Sequence, residues 1–184
     1  MKLFVGIISW CGVAALAMNA PVSAQKDKDL NGKVVEYVKR NLGKQVDDGE
    51  CASLAVAALN SVGAKPLGTY KDSPNDGDYV WGELVYALEI TPTLRTESIP
   101  IDTFVKPGDI LQYRNAKFAG KQGTGKYTSE APHHTAVITG VSKDGKTFDI
   151  HHQNVNGKKT VAPATVKIND LQSGWVKVYR PQKP

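Results

Sequence analysis

Cysteine is scarce in this chain: 184 residues contain two, Cys11 and Cys51. Cys11 lies in an uncharged apolar run from Leu3 to Ala17, preceded by Lys2 and followed by Val22-Ser23-Ala24. This is the pattern of a signal peptide, residues 1–24, cleaved before Gln25. Cleavage leaves Cys51 alone, which excludes an internal disulfide and makes a reactive or ligating thiol the leading explanation. The apolar run is too short to span a bilayer comfortably, and Pro21 interrupts any extension of it, so no stable membrane insertion is expected after cleavage. The protein is expected to be exported, periplasmic or extracellular. Trp10 stands where a lipid-attachment site needs a small residue, which argues against anchoring through Cys11.

Blocks of one charge are also missing. The net charge of +5 comes from lysines and acids that are interspersed, so nothing favours nucleic-acid recognition. No Cys-x-x-Cys or His-x-x-x-His pair is present, so no metal and no cofactor is expected. No repeat interrupts the chain, and residues 31–184 suffice for one domain, expected as a monomer, behind a charged flexible lead-in at residues 25–30.

What is present divides by period. Val34, Val35, Val38 and Leu42 recur at helical spacing until Gly43. A second helix is expected from Glu50 to Val62, with Leu54, Ala55, Ala58, Leu59 and Val62 as its apolar stripe and Gly63 as its stop. Tyr79 to Leu88 reads as a further short helix. Beyond Pro100 the period becomes two: Ile110–Tyr113, Thr135–Val141, Thr147–Gln153, Thr160-Val161 and Val176–Tyr179 read as strands. Helices followed by an antiparallel sheet define an α+β domain.

Cys51 follows Asp47-Asp48-Gly49-Glu50 and so falls in a first helical turn, where orphan N–H groups and the helix dipole favour a thiolate. Its thiol is therefore expected to have a depressed pKa. Glu50 opposes this, and is expected to point away or to hold a cationic part of a substrate. All four histidines occur as His133-His134 and His151-His152 on consecutive strands, and alternation admits at most one of each pair to a common site. The apolar face, expected to be the helix-covered one, carries His134, His152 and Asn154. A three-residue loop, Lys143-Asp144-Gly145, with Gly145 left-handed would pair His134 with Asn154 and Ala136 with His152. A thiol beside an imidazole that a third polar group orients is the arrangement of cysteine nucleophilic catalysis, with Cys51, His134 and either His152 or Asn154. Packing of a lone thiol, or zinc held by the same groups, are the competing readings.

Gly49-Glu50-Cys51, Lys106-Pro107-Gly108-Asp109-Ile110, His134-Thr135-Ala136-Val137-Ile138 and His152-Gln153-Asn154 resemble the blocks of the NlpC/P60 superfamily, nearest its CHAP amidase/endopeptidase branch. With Val46, Tyr79-Val80-Trp81-Gly82 and Gly174–Pro181 added, the chain is still more similar to the cysteine-proteinase-fold domain that ends the fungal myosin-tail-interacting SH3 protein. The resemblance implies a papain-like NlpC/P60 fold, with Cys51 as nucleophile, His134 as general base and acid, and the position of His152 as orienting residue. Together with the N-terminal export segment, the reading is an exported cysteine hydrolase that cleaves an amide bond in peptidoglycan or a peptide through a thioester. A catalytically silent protein- or wall-binding domain is the alternative, and a metal-binding protein the third reading.

Asp72, Asp76, Gly77 and Glu83 match part of a calcium loop, although Asn/Asp turn chemistry explains them equally. Trp81 and Trp175 are candidates to flank a groove, with core burial as the competing reading, and Trp81 joins Glu50 as an expected substrate contact.

Overall fold

The computed structural model describes residues 22–70, 78–99 and 104–184. The apolar run, Cys11, Asp72, Asp76 and Gly77 lie outside the described residues, and Glu83 opens a strand. Helix α1 spans Val22–Arg40 and α2 spans Cys51–Ser61. Strands β1 (Glu83–Ile90), β2 (Arg95–Ser98), β3 (Ile110–Gln122), β4 (Gly125–Val141), β5 (Thr147–His152), β6 (Ala162–Lys167) and β7 (Leu171–Arg180) form one antiparallel sheet in the order β2-β1-β7-β3-β4-β5-β6. The α+β expectation holds.

Residues 25–30, expected as a flexible lead-in, belong to α1, because no glycine or proline interrupts the chain from Val22 to Leu30. The helix expected within residues 79–88 is instead β1. A bulge between Leu84 and Tyr86 buries Val85 and Tyr86 in succession, and that break in period two imitates a helical pattern. Thr160 and Val161 form only isolated bridges to Gln45 and Leu42, and the strand itself begins at Ala162. Its Pro163 is tolerated because β6 is an edge strand. Strands β3 and β4 run well past their expected ends and meet at Gly123-Thr124, a two-residue loop that Gly123 opens with φ +60°.

The sheet rolls on itself. The Tyr86 and Phe148 rings lie 6.5 Å apart although three strands separate β1 from β5, and Lys146 reaches Glu97 on β2 at 2.6 Å. The inner face gathers Leu88, Leu111, Ile138, Phe148, Ile150, Ile168 and Val178 in one core. The outer face packs Ile110, Val137 and Tyr179 against the helices through Val34, Val38, Leu54, Ala55, Ala58 and Leu59. The small Ala55 and Ala58 let α2 approach the strands closely, and Gly63 at φ +65° ends it in a Schellman turn, with Ala64 N–H donating to Leu59 O at 3.0 Å.

Asp109 fastens these layers. It is fully buried, and it accepts bonds from Asn31 on α1 (2.9 Å), from the Lys106 N–H (2.9 Å) and from Arg180 on β7 (3.2 and 3.0 Å). Burial pushes its carboxyl pKa up, and Arg180 is the strongest influence pulling it back. The preceding Gly108 has φ +90° and lies so close to Asn31 that an added Cβ would collide with the α1 backbone.

Candidate active site

The segment before α2 is built to deliver Cys51. Asp48 Oδ1 accepts the Glu50 N–H at 2.9 Å, Glu50 is extended (φ −75°, ψ 152°), and the helix begins at Cys51. The thiol is 6 % exposed. Burial pushes its pKa up and the neighbouring Glu50 carboxylate adds to the rise, while N–H groups of Thr135, Ala52 and Cys51 itself pull it back. The depressed thiol expected from the helix start is therefore overturned. Desolvation outweighs the orphan N–H groups because the sulfur is shut away from water.

The β4–β5 hairpin sets the histidines. Gly145 is left-handed at φ +69°, as expected, but the closing contact is Ser142 N–H to Thr147 O, which makes a four-residue loop, Lys143 to Lys146. A register shift between Ile138 and Gly140 then absorbs the extra residue, so Val137 faces His151. Continued by one residue, the register sets Ala136 opposite His152, as expected, by a different route.

The face is the opposite of the one expected. Ile110, Val137 and His151 belong to the helix-covered side, and His151 lies by the Val38 carbonyl of α1. His134 pairs with Tyr113 and shares its face with Ala136 and Ile138, on the inner side of the rolled sheet. The apolar alternation identified a buried face correctly, but both faces of this strand are buried.

On that inner face His134 Nε2 and His152 Nδ1 are 3.1 Å apart, with the two rings nearly perpendicular at 84°. Both are buried, and Tyr113 packs on His134 with ring centroids 5.3 Å apart. Burial drives the His134 pKa down from 6.5 to about 3, with the charges of His152 and His133 adding to the fall, and burial lowers His152 as well. Both rings are neutral near pH 7.

Cys51 reaches β4 at the residue that follows His134. Ile138 donates to Asp109 on the β3 side, so by alternation the Thr135 N–H points to the β5 side. Strand β5 stops at His152, and the Cys51 sulfur takes the position at the Thr135 N–H that a further β5 residue would have filled.

The remaining expected residues fall elsewhere. Asn154 has left the strand with φ +60°, and its side-chain amide donates to Glu50 Oε2 at 2.5 Å. It does not orient His134, because the chain turns away two residues past His152, at Asn154 itself. Glu50 also pairs with Lys159 at 3.1 Å, so its carboxylate points away from the sulfur's buried side, half-exposed at the rim. Trp81 is fully buried in the helix-side core and donates its Nε1 to Gln112 Oε1 at 2.6 Å, which removes it from the substrate contacts. Gln153, which sequence reasoning left without a role, is fully buried beside the Cys51 segment. Its only sequence signal was its place in the His152-Gln153-Asn154 block. Among the described residues no cluster of three or more His, Cys, Asp or Glu side chains could hold a metal ion.

A buried thiol at a helix start and two hydrogen-bonded imidazoles on an antiparallel sheet are the parts of a cysteine-proteinase-fold domain. The chain belongs to the AIM3/BBC1 cysteine proteinase-fold domain family, whose model it matches over residues 24–183. It is 28 % identical over 160 residues to altered inheritance of mitochondria protein 3 of Debaryomyces hansenii, covering 80 % of this chain and 15 % of that protein. An SH3 domain-containing protein of Schizosaccharomyces pombe is 36 % identical over 80 residues, covering 41 % of this chain and 5 % of that one. The chain thus spans a small part of either relative. Two solved structures of Ly7917, one with the hydrolyzing product of MDP, align over 82 % of this chain and 62 % of theirs at 16 % identity, with TM-scores of 0.46 and 0.48.

Proposed function

We propose that this domain is an exported cysteine hydrolase of papain-like, NlpC/P60 character, cleaving an amide bond in a peptide or in peptidoglycan. The observation that carries the reading is the buried contact between His134 Nε2 and His152 Nδ1 at 3.1 Å, with the thiol of Cys51 at a helix start by the N–H of Thr135, the residue that follows His134. For His134 to accept a proton from Cys51, its Nδ1 must be bare. Its Nε2–H then donates to His152 Nδ1, so His152 fixes the tautomer.

Because the thiol pKa is raised and the imidazole pKa lowered, the resting pair is neutral. His134 takes the thiol proton as sulfur bonds to the substrate carbonyl carbon, in the manner of general-base catalysis. The same proton passes to the departing amine as the C–N bond breaks. Water then cleaves the thioester, giving its proton to His134, and the carboxylic acid leaves as the thiol is restored. Orphan N–H groups of the first α2 turn are suited to the oxyanion.

The test is hydrolysis of peptides and peptidoglycan fragments by the wild type, Cys51→Ser and His134→Ala, with chelator present. Turnover that survives chelation and disappears in both variants supports the reading. A second reading, a silent binding domain on the same scaffold, is favoured by a different observation. Cys51, His134 and His152 are each buried, and the cavity that reaches His152 holds about 110 Å³. No turnover, with partner binding unchanged in Cys51→Ser, establishes it.

A further inference from the structure

Strand alternation turns the residue after His152 to the other side of the sheet, and that residue is Gln153, fully buried. Its Oε1 accepts the Val46 N–H at 3.2 Å, and its Nε2 donates to Val46 O at 3.0 Å and to Glu50 O at 2.7 Å. Three of the four bonds that a primary amide can make therefore go to the five residues that precede the nucleophile. Glu50 O also receives the Ser53 N–H at 3.1 Å, so the carbonyl that Gln153 holds is the one that starts α2.

We infer that Gln153 is a positioning residue that sets the thiol of Cys51 against the imidazoles, by fixing the α2 start to the end of the strand that carries His152. The path is short: Cys51, the Glu50 carbonyl, the Gln153 amide, His152. Covalent linkage and hydrogen bonds span it. Other contacts between the two segments tie residues farther from the sulfur or act from outside. The Gly43 N–H donates to Val161 O and the Val161 N–H to Lys44 O, while Lys159 reaches Asp48 O and Glu50 from the exposed side. The Gln153 amide instead acts from the buried side on the residue that adjoins Cys51. No apolar residue of the same length satisfies those three backbone groups.

This inference rests on the hydrolase reading, and its test separates the two. Iodoacetamide alkylation of Cys51 is followed from pH 5 to 9 in the wild type, His134→Ala, Gln153→Met and the double variant, with thermal unfolding run alongside. In the wild type, His134→Ala slows alkylation about tenfold near pH 7. In folded Gln153→Met the same His134→Ala change alters the rate less than about twofold, because the imidazole no longer faces the sulfur. A folded Gln153→Met that retains the full His134 dependence and the wild-type pH profile overturns the inference and leaves the hydrolase reading standing. A wild type indifferent to His134→Ala overturns the hydrolase reading, and this inference with it. If Gln153→Met does not fold, Gln153→Glu, which keeps the length and can still accept the Val46 N–H, is read by the same criterion.

Discussion

Lowering the pH should destabilise this domain between pH 6.5 and 4.5, and His134 should be a main cause. Its ring is 6 % exposed and its pKa falls from 6.5 to about 3 on folding. The unfolded chain therefore binds a proton that the native state refuses. Stability is fully present above the unfolded pKa of 6.5 and is lost as pH falls toward the folded value. At 1.36 kcal/mol per unit, the two units from 6.5 to 4.5 cost about 2.5 kcal/mol, and the full interval costs on the order of 4–5 kcal/mol. That is a large part of the roughly 5–15 kcal/mol that holds a typical domain. Carboxylates with lowered pKa values, Asp48, Glu97 and Asp144, act mainly below this window and are exposed or nearly so, so they add little there. The assay is urea unfolding at half-unit steps from pH 7.5 to 4.5, for the wild type and His134→Gln, whose amide does not titrate. The variant should lose about 2.5 kcal/mol less than the wild type across the window, with the remaining slope set by His151 and His152, whose pKa values are also lowered, against Asp109, whose raised pKa acts in the opposite sense. Parallel slopes in the two proteins would refute a neutral, desolvated His134.

The same geometry sets other measurable outcomes. If the domain turns over substrate, the acid limb of kcat/KM should lie below pH 6 rather than near 6.5, because His134 stays a free base further into acid; a limb at 6.5 or above contradicts this. Asp109→Ala should cost about 3–5 kcal/mol in urea unfolding, since it strands Arg180 and the Lys106 and Asn31 donors around a fully buried site. Gln112→Leu should cost about 1–3 kcal/mol by leaving the buried Trp81 Nε1–H without its acceptor, and the double change with Trp81→Phe should recover part of that loss. The export proposal expects mass spectrometry of the mature chain to find Gln25 at its N-terminus, and retention of the first 24 residues would count against it.

Much of the fold was legible because local rules agree with the tertiary structure there. The α2 stripe and the Gly63 stop each have a local cause that a sequence displays. Other elements were hidden where a local rule is broken for a tertiary reason. The bulge in β1 disguised a strand as a helix, and Pro163 hid an edge strand. The outer half of the β3–β4 hairpin was concealed because Lys121, Gln122, Gly125 and Lys126 are all exposed there, with no apolar alternation to mark a strand.

The site shows the same limit at finer grain. Alternation placed His134 with His152 and away from His133 and His151, and that grouping survives in the structure because period two is a property of the backbone alone. Which face the helices cover is a property of the whole sheet. A strand with Val137 and Ile138 both fully buried has no solvent side from which to choose. The thiol's pKa obeys the same logic. A helix start favours a thiolate only while water or a cation helps to solvate it, and here burial removes the water and leaves the Thr135 N–H and the N–H groups of the α2 turn in its place. The sequence displays the dipole and hides the desolvation, so it predicts the weaker of two opposed effects. What links the helix to the histidines is therefore the ending of β5 at His152, which leaves one N–H of β4 open to a sulfur instead of a strand. A chain in which β5 continued by two more residues would fill that position with backbone and displace the thiol from the strand that carries His134.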